Sequence, residues 1–380
     1  MPLRIAIDAR HVHDFGVGTY IRNLVHALGE IDAVNGYTLV AAPEDANTFA
    51  GMGANFQIAV YARRDSDYID HAAFPAFLHG LGADLVHIPL NRVPLLMVRP
   101  YVVTIHDMAS LLYNEQPSGM RMELRRFAFR RGLERADRVI AVSEATSREV
   151  QKMIGIPARR IRVIYEAPDP AFLEHGADTG ASGAQQRILE RYQIQYPFLL
   201  YAGNIRPHKN IPRLVEAFAV LRDQLATHPV YRDLRLIIIG DQISQYPEVR
   251  HAVIKSRVEA TVRFLGFVPF ETLRCFYEAA SAFVFPSRHE GFGLPPLEAM
   301  ASGTPVVCSN VSSLPEVVGD AAVLVHPENV FEIARSISEV LLDQNLRQDL
   351  IAKGRLQAAR FNWVRTAREV LGIYQEAARH

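Results

Sequence analysis

The densest chemistry in the sequence lies in Ala282-Phe-Val-Phe-Pro-Ser-Arg-His289-Glu290-Gly291-Phe292-Gly293-Leu294-Pro-Pro-Leu-Glu298. The apolar run 282–285 reads as a strand, Gly291 and Gly293 as a loop, and Pro295 or Pro296 suits the first turn of a helix. A helix starting there would present the backbone N–H groups of Phe292, Gly293 and Leu294 to an anion, with the helix dipole aligned in favour. Glu290 at the strand exit and Glu298 about one turn inside the helix can then face one crevice at the carboxyl end of the strands. Carboxylates accept hydrogen bonds from vicinal hydroxyls, so sugar and ribose are natural partners. The same spacing also fits a Glu298 that only complements the helix N-terminus and a solvated Glu290.

Three further clusters fall at the ends of apolar runs. In Tyr201-Ala-Gly203-Asn204-Ile-Arg206-Pro-His208-Lys209-Asn210, Gly203 lets the chain turn closely. Arg206 and Lys209 then supply donors suited to phosphate oxygens, or form a solvated surface pair. Asp8-Ala-Arg-His11-Val-His13-Asp-Phe-Gly16-Val-Gly18 has the order strand, glycine loop, helix. The third glycine of a dinucleotide fingerprint is replaced by Ile21, so Gly16 and Gly18 suit a phosphate-approaching loop or a plain structural turn. His106, at the end of Val102-Val-Thr-Ile, can hydrogen-bond a substrate hydroxyl or orient a reacting group; alternatively the neighbouring backbone or Asp107 satisfies it. Arg121, Arg125, Arg126, Arg130, Arg131 and Arg135 crowd one helical pattern that holds only Glu123 and Glu134 as acids. Such a helix lies on anionic lipid, receives a phosphorylated acceptor, or is a solvated face.

These clusters need a scaffold, and the remaining sequence supplies one. Short apolar runs alternate with helical patterns, the signature of strand-helix repeats and parallel sheets buried on both faces. Strands are expected at Arg4–Asp8, Tyr37–Ala41, Leu85–His87, Tyr101–His106, Arg138–Val142 and Ile161–Ile164. The scheme repeats at Phe198–Ala202, Leu234–Ile239, Val262–Leu265, Ala282–Phe285, Pro305–Cys308 and Ala322–Val325. The economical reading is an α/β chain of two doubly wound domains, 1–170 and 187–361, joined by a linker at 171–186. The amphipathic end, about 362–380, carries the single tryptophan, Trp363, and is expected to pack back on the first domain.

Composition narrows the classes. With 380 residues, 41 basic against 41 acidic, the chain is neutral overall, which excludes bulk attraction to nucleic acid. Cys275 and Cys308 are too few for a disulfide framework and lack metal-ligand spacing. The start, Met-Pro-Leu-Arg-Ile-Ala-Ile-Asp, resembles neither a signal nor a transit peptide, and no apolar stretch approaches the roughly 18–20 residues of a spanning helix. A cytoplasmic protein with at most peripheral membrane contact is expected.

On these residues the sequence resembles the retaining GT-B glycosyltransferases of family 4. The resemblance rests on Glu-x7-Glu from Glu290 to Glu298, on Gly-x5-Lys from Gly203 to Lys209, and on Leu314-Pro-Glu316-Val-Val-Gly319-Asp320. It implies two Rossmann-like domains facing across a cleft, the second binding a nucleotide sugar. It further implies that Glu290 meets the donor sugar's hydroxyls, Glu298 the ribose diol, and Lys209 with a nearby arginine the leaving diphosphate. Gly16 and Gly18 would approach the diphosphate, and His106 would lie beside sugar and acceptor. Gly203 and the 291–294 turn complete the donor site, with no metal and no cofactor beyond the co-substrate. The chain departs from the pattern in three places. Asn204 stands where Gly-Arg is common, which makes Arg206 the substitute; Tyr165-Glu166-Ala167 replaces Pro-Asn-Gly; and Val17 separates the two glycines.

The implied activity is transfer of a hexose to an acceptor hydroxyl in cell-surface polysaccharide or glycolipid synthesis. GDP-mannose is favoured as donor by resemblance to bacterial mannosyltransferases, with the acceptor a sugar or a lipid-linked glycan reached through Arg121, Arg125 and Arg126. The alternatives are a transferase using UDP-glucose or a UDP-N-acetylhexosamine, or a hexosamine 2-epimerase of the same fold. An NAD-dependent oxidoreductase is disfavoured by the incomplete glycine fingerprint.

Overall fold

A computed structural model of the chain describes residues 2–14, 16–63, 69–109, 120–173, 181–241 and 243–379. Runs of Val, Ile, Leu and Ala too short for a helix pair side by side, because a strand buried on both faces must give its backbone groups to neighbours. In the first unit β1 (Arg4–Asp8), β2 (Gly36–Ala41), β3 (Phe56–Val60), β4 (Leu85–Ile88), β5 (Tyr101–Ile105), β6 (Arg138–Ala141) and β7 (Ile161–Val163) form one sheet. Its order is β3-β2-β1-β4-β5-β6-β7. All its pairings are parallel; Ile5, for instance, faces Tyr37 on one side and Leu85 on the other. The second unit repeats the plan with β8 (Phe198–Ala202), β9 (Arg235–Ile239), β10 (Val262–Gly266), β11 (Ala282–Phe285), β12 (Val306–Ser309) and β13 (Ala322–Val325), in the order β10-β9-β8-β11-β12-β13.

β3 escapes the sequence reading because it is an edge strand with a half-exposed, mixed face, so Phe56-Gln-Ile-Ala-Val has no continuous apolar run. The division of the chain also differs from the expectation. Met1–Glu166 and Asn362–His380 cluster as one unit, and Ala167–Phe361 as the other. Much of the expected 171–186 linker is therefore part of the second unit. Phe172 is buried against the rings of Phe270 and Tyr277, 4.9 and 5.6 Å away, and helix Ala181–Arg191 packs on helix Phe270–Ala279. The glycines and prolines of that stretch disguised one buried aromatic.

Strand order reverses at β1/β4 in the first unit and at β8/β11 in the second. Right-handed crossovers running in opposite directions put the following helices on opposite faces. Helix Ile211–Leu225, after β8, packs on helices Pro247–Lys255 and Val330–Leu342, whereas helix Leu294–Ala301, after β11, packs on Gln344–Ala358. Between two such strands the loops part, and ligands bind there.

The terminal helix Trp363–Ala377 lies along helix Val17–Ile31 in the first unit. Their contact encloses a polar chain: the Tyr20 hydroxyl meets Thr104 Oγ1 at 3.1 Å, His87 Nε2 meets the same oxygen at 2.8 Å, and His87 Nδ1 meets the Tyr374 hydroxyl at 2.7 Å. Burial, with His106 beside it, lowers the His87 pKa from 6.5 to about 3. His87 is thus neutral in the fold. As pH falls below 6.5 only the unfolded chain takes up this proton, so stability declines progressively towards the folded value of about 3. The melting temperature should therefore fall more steeply below pH 6.5 in the parent than in His87→Gln; parallel curves would show that His87 takes up its proton in the fold.

Candidate functional site

The loops that leave β8 and β11 meet at the reversal point of the second sheet. After β8, Gly203 turns the chain, with its N–H donating to Ile239 O at 3.0 Å, and a short 3-10 turn, Pro207–Lys209, ends at left-handed Asn210, φ 60°. The Asn210 Nδ2 donates to Pro286 O at 3.1 Å and to Pro327 O at 2.7 Å, tying this loop to those after β11 and β13. The Arg288 N–H donates to His208 O at 2.7 Å, a second tie between the β8 and β11 loops. Lys209 is carried by this framework to Glu290. Its Nζ donates to Oε1 at 2.7 Å and Oε2 at 2.9 Å, and lies 5.5 Å from the centre of the Phe285 ring. Side-chain exposure is only 14% for Lys209 and 10% for Glu290, so each charge relies on the other.

Glu290 is itself fixed by its backbone. Its carbonyl accepts from Ser312 Oγ at 2.5 Å and Ser313 Oγ at 3.0 Å, and Ser313 Oγ also reaches Phe292 O at 2.6 Å. Ser312 has φ 58°, a left-handed conformation that costs a non-glycine residue energy and recurs where a loop must be held for function. Gly291, Phe292 and Gly293 are buried, and Gly293 precedes helix Leu294–Ala301 with φ 115°. That φ favours glycine, and a Cβ at Gly293 would also come within 2.8 Å of Leu314 Cδ2, which would have to shift. In the second turn of that helix, Glu298 Oε2 accepts from the Tyr277 hydroxyl at 3.1 Å. Burial, with the Glu298 charge beside it, pushes the Tyr277 hydroxyl well above its usual pKa, which keeps it a donor.

Arg206 takes a separate course. Its guanidinium donates to the Tyr246 hydroxyl at 2.8 Å and lines a cavity of 340 Å³ with Arg213, Glu216, Glu248 and Arg288. The structure thus joins Lys209 to Glu290 and turns Arg206 towards helices Ile211–Leu225 and Pro247–Lys255, whose residues supply much of the cavity wall.

In the first unit, His106 follows β5. Its Nδ1 lies 2.7 Å from Glu166 Oε1 and its Nε2 3.1 Å from Pro89 O, so Glu166 rather than Asp107 is its acidic partner. Asp107 Oδ1 instead accepts from the Ala109 N–H at 2.8 Å. Gly16 has φ 71° and ends the loop before helix Val17–Ile31. A Cβ at Gly18 would lie 2.4 Å from Val12 O, so both glycines have local reasons in the fold. Arg10, just past β1, is buried between Asp8 and Asp70, with nitrogen to oxygen distances of 2.8 and 3.3 Å, and lies 3.6 Å from the Phe74 ring centre. On the arginine-rich helix Met120–Arg135, Arg126 pairs with Glu123, and Arg130 and Arg131 pair with Glu134, while the side chains of Arg121 and Arg125 lie outside the described residues. Among the described residues no helix is long and apolar enough to cross a membrane, and no group of three or more His, Cys, Asp or Glu is placed to hold a metal ion.

Sequence reasoning passed over Glu166, Ser312, Ser313 and Arg10. Serines and lone charges carry no pattern, and only the fold of each unit gives them their partners.

Two doubly wound sheets with an ion pair at a strand-order reversal define a class, and solved structures show which. Sucrose-phosphate synthase from Thermosynechococcus elongatus superposes with a TM-score of 0.76 over 98% of both chains at 22% identity. Anabaena HepE, in complex with UDP and glucose, gives 0.75 over 98% of this chain and 100% of that one at 18% identity. This is the GT-B fold. The model of glycosyl transferases group 1 matches residues 185–357, and that of glycosyltransferase family 4 matches 16–172. The O-antigen chain mannosyltransferase B of Escherichia coli is 33% identical over 277 residues, 72% of this chain and 70% of that protein. The serotype-specific mannosyltransferase WbdA of Escherichia coli is 32% identical over 289 residues, 74% of this chain but 34% of the relative, so the chain aligns with only about a third of WbdA. The chain belongs to the group 1 glycosyltransferases of family 4.

Replacing Ser313 with Ala removes the one hydroxyl proton that is shared between the carbonyls of Phe292, at 2.6 Å, and Glu290, at 3.0 Å. The expected cost is about 1–3 kcal/mol, read as a lower urea midpoint; an unchanged midpoint would mean that other contacts hold the loop.

Proposed function

We propose that this glycosyltransferase moves a hexose, mannose from GDP-mannose in the first instance, to an acceptor hydroxyl with retained anomeric configuration and without a metal. The product would belong to cell-surface polysaccharide or glycolipid synthesis at the cytoplasmic face of the membrane. The Lys209–Glu290 pair at the β8/β11 reversal carries this reading.

A carboxylate held on an ammonium keeps the cation in place and shielded from water. A diphosphate brings more negative charge than one carboxylate, so it can take over the ammonium and free Glu290 for the hydroxyls of the sugar. Lys209 then opposes the charge that grows on the departing nucleoside diphosphate, a preorganised contribution that strengthens in the transition state. The N-terminus of helix Leu294–Ala301 adds its dipole to the same task. Glu298, oriented by Tyr277, is assigned to the ribose diol. In the first unit His106 is assigned to sugar and acceptor, and Gly16 and Gly18 to the diphosphate. Names of relatives support mannose as the sugar, since two are described as mannosyltransferases. HepE, solved with UDP and glucose, keeps a UDP-sugar donor as the second reading.

Lys209→Ala and Glu290→Ala should each abolish transfer while the circular dichroism spectrum stays that of the parent; undiminished turnover in either would sink the site. In a thermal-shift panel GDP-mannose should raise the melting temperature more than UDP-glucose or UDP-N-acetylglucosamine, and the reverse ranking would move the assignment to a UDP-sugar. A lipid-linked acceptor reached through the arginine-rich helix predicts that charge reversal at Arg125 and Arg126 weakens binding to anionic liposomes; equal binding would make that helix a solvated face.

A further inference from the structure

Glu166 is the last residue of the first unit before the chain passes into the second, and nothing in its type or spacing marks it for chemistry. We propose that Glu166 is the positioning residue that sets the His106 imidazole for glycosyl transfer, an inference that rests on the assignment of His106 to the sugar and acceptor. Three observations carry it.

First, the contact is short and sheltered. His106 Nδ1 lies 2.7 Å from Glu166 Oε1, with side-chain exposures of 10% and 5%. In that shelter a charge-assisted hydrogen bond is strong, and the carboxylate fixes a proton on Nδ1 because it can only accept.

Second, everything about His106 except its ring rotation is already fixed. Asn91 accepts from the His106 N–H at 3.1 Å through Oδ1 and donates to Asp107 O at 3.0 Å through Nδ2, clamping the main chain on both sides. Tyr20 packs edge-on, 4.9 Å between ring centres. Glu166 removes the remaining freedom. Its own backbone is anchored next door, where Tyr165 O accepts from Thr366 Oγ1 at 2.7 Å.

Third, the two bonds of the ring are unequal. The far nitrogen, Nε2, lies 3.1 Å from the Pro89 carbonyl, a longer contact to a neutral acceptor that is a hydrogen bond only when Nε2 carries a proton as well. A substrate oxygen arriving at Nε2 can replace that carbonyl without disturbing the bond to Glu166. Glu166 therefore acts through His106 and needs no contact with substrate.

The test compares the parent with Glu166→Gln and Glu166→Ala in steady-state transfer and in 15N spectra of histidine-labelled protein. The His106 signals are assigned by their loss in His106→Gln. The amide oxygen of Gln still accepts, but without charge, so the expected order of kcat is parent, Gln, Ala. The Ala variant should fall roughly tenfold or more, the scale on which partners of a site histidine act, at unchanged donor KM. The His106 Nδ1 proton signal should move upfield in Gln and further in Ala. Should Ala unfold, the Gln spectrum decides alone. Parent kcat in a folded Ala variant, or His106 signals unmoved in Gln, would overturn the proposal. Lys209→Ala run in parallel separates the two readings: turnover surviving there defeats the donor site, whereas unmoved His106 signals defeat the role of Glu166 whatever the turnover.

Discussion

The ammonium of Lys209 and the carboxylate of Glu290 come from loops 81 residues apart in the chain, and the second unit is arranged so that they meet. The reversal of strand order opens a gap between the β8 and β11 loops, and each neighbouring loop then contributes a tether. Asn210 reaches the loops after β11 and β13, the Arg288 backbone reaches His208, and the serines after β12 hold Glu290 by its carbonyl. Two partly buried charges would cost stability if either were alone, and the tethers keep them together without a ligand. Both side chains are thus held in place by the fold itself.

The first unit solves the same problem of buried polarity without charge at its centre. Tyr20, Thr104, His87 and Tyr374 satisfy one another through hydroxyls and a neutral ring, and burial keeps that ring neutral. His106, at the end of the neighbouring β5, is treated differently, because a carboxylate reaches its Nδ1. Two histidines close in the fold thus have different surroundings: hydroxyls around His87 and a carboxylate at His106.

The sheets, their repetition and the Glu290, Glu298, Gly203 and Lys209 loops are legible in the sequence because they have local signatures: buried strands read as apolar runs, and a glycine turn before a proline-started helix reads as an anion site. What escapes reading depends on contacts between distant residues. Glu166 is visible only as an acid where Pro-Asn-Gly is common, and its meaning comes from β5 and β7 lying two strands apart in one sheet. Ser312 and Ser313 matter through the carbonyls of Glu290 and Phe292, and no periodicity marks them. Phe172 lay hidden among glycines and prolines, since a single buried ring has no pattern. Arg206, chosen as a substitute cation by its nearness to Lys209 in sequence, turns instead to Tyr246, because a loop's neighbours in space are set by the helices that follow it.

The helix Trp363–Ala377 belongs to the unit that begins the chain, although the whole second unit separates it from the rest of that unit. Synthesis therefore delivers the parts out of structural order. The ribosome makes the first sheet, then all of the second unit, and only afterwards the helix that supplies Trp363 and Tyr374 to the core of the first. Until that helix emerges, Tyr20 lacks the ring of Trp363 and His87 the hydroxyl of Tyr374, and of these two units the one begun first is the last to be completed. A frameshift or stop just before Asn362 would leave the Lys209–Glu290 unit whole and damage the other one, so the place of a lesion along the message is a poor guide to the part of the molecule it disables.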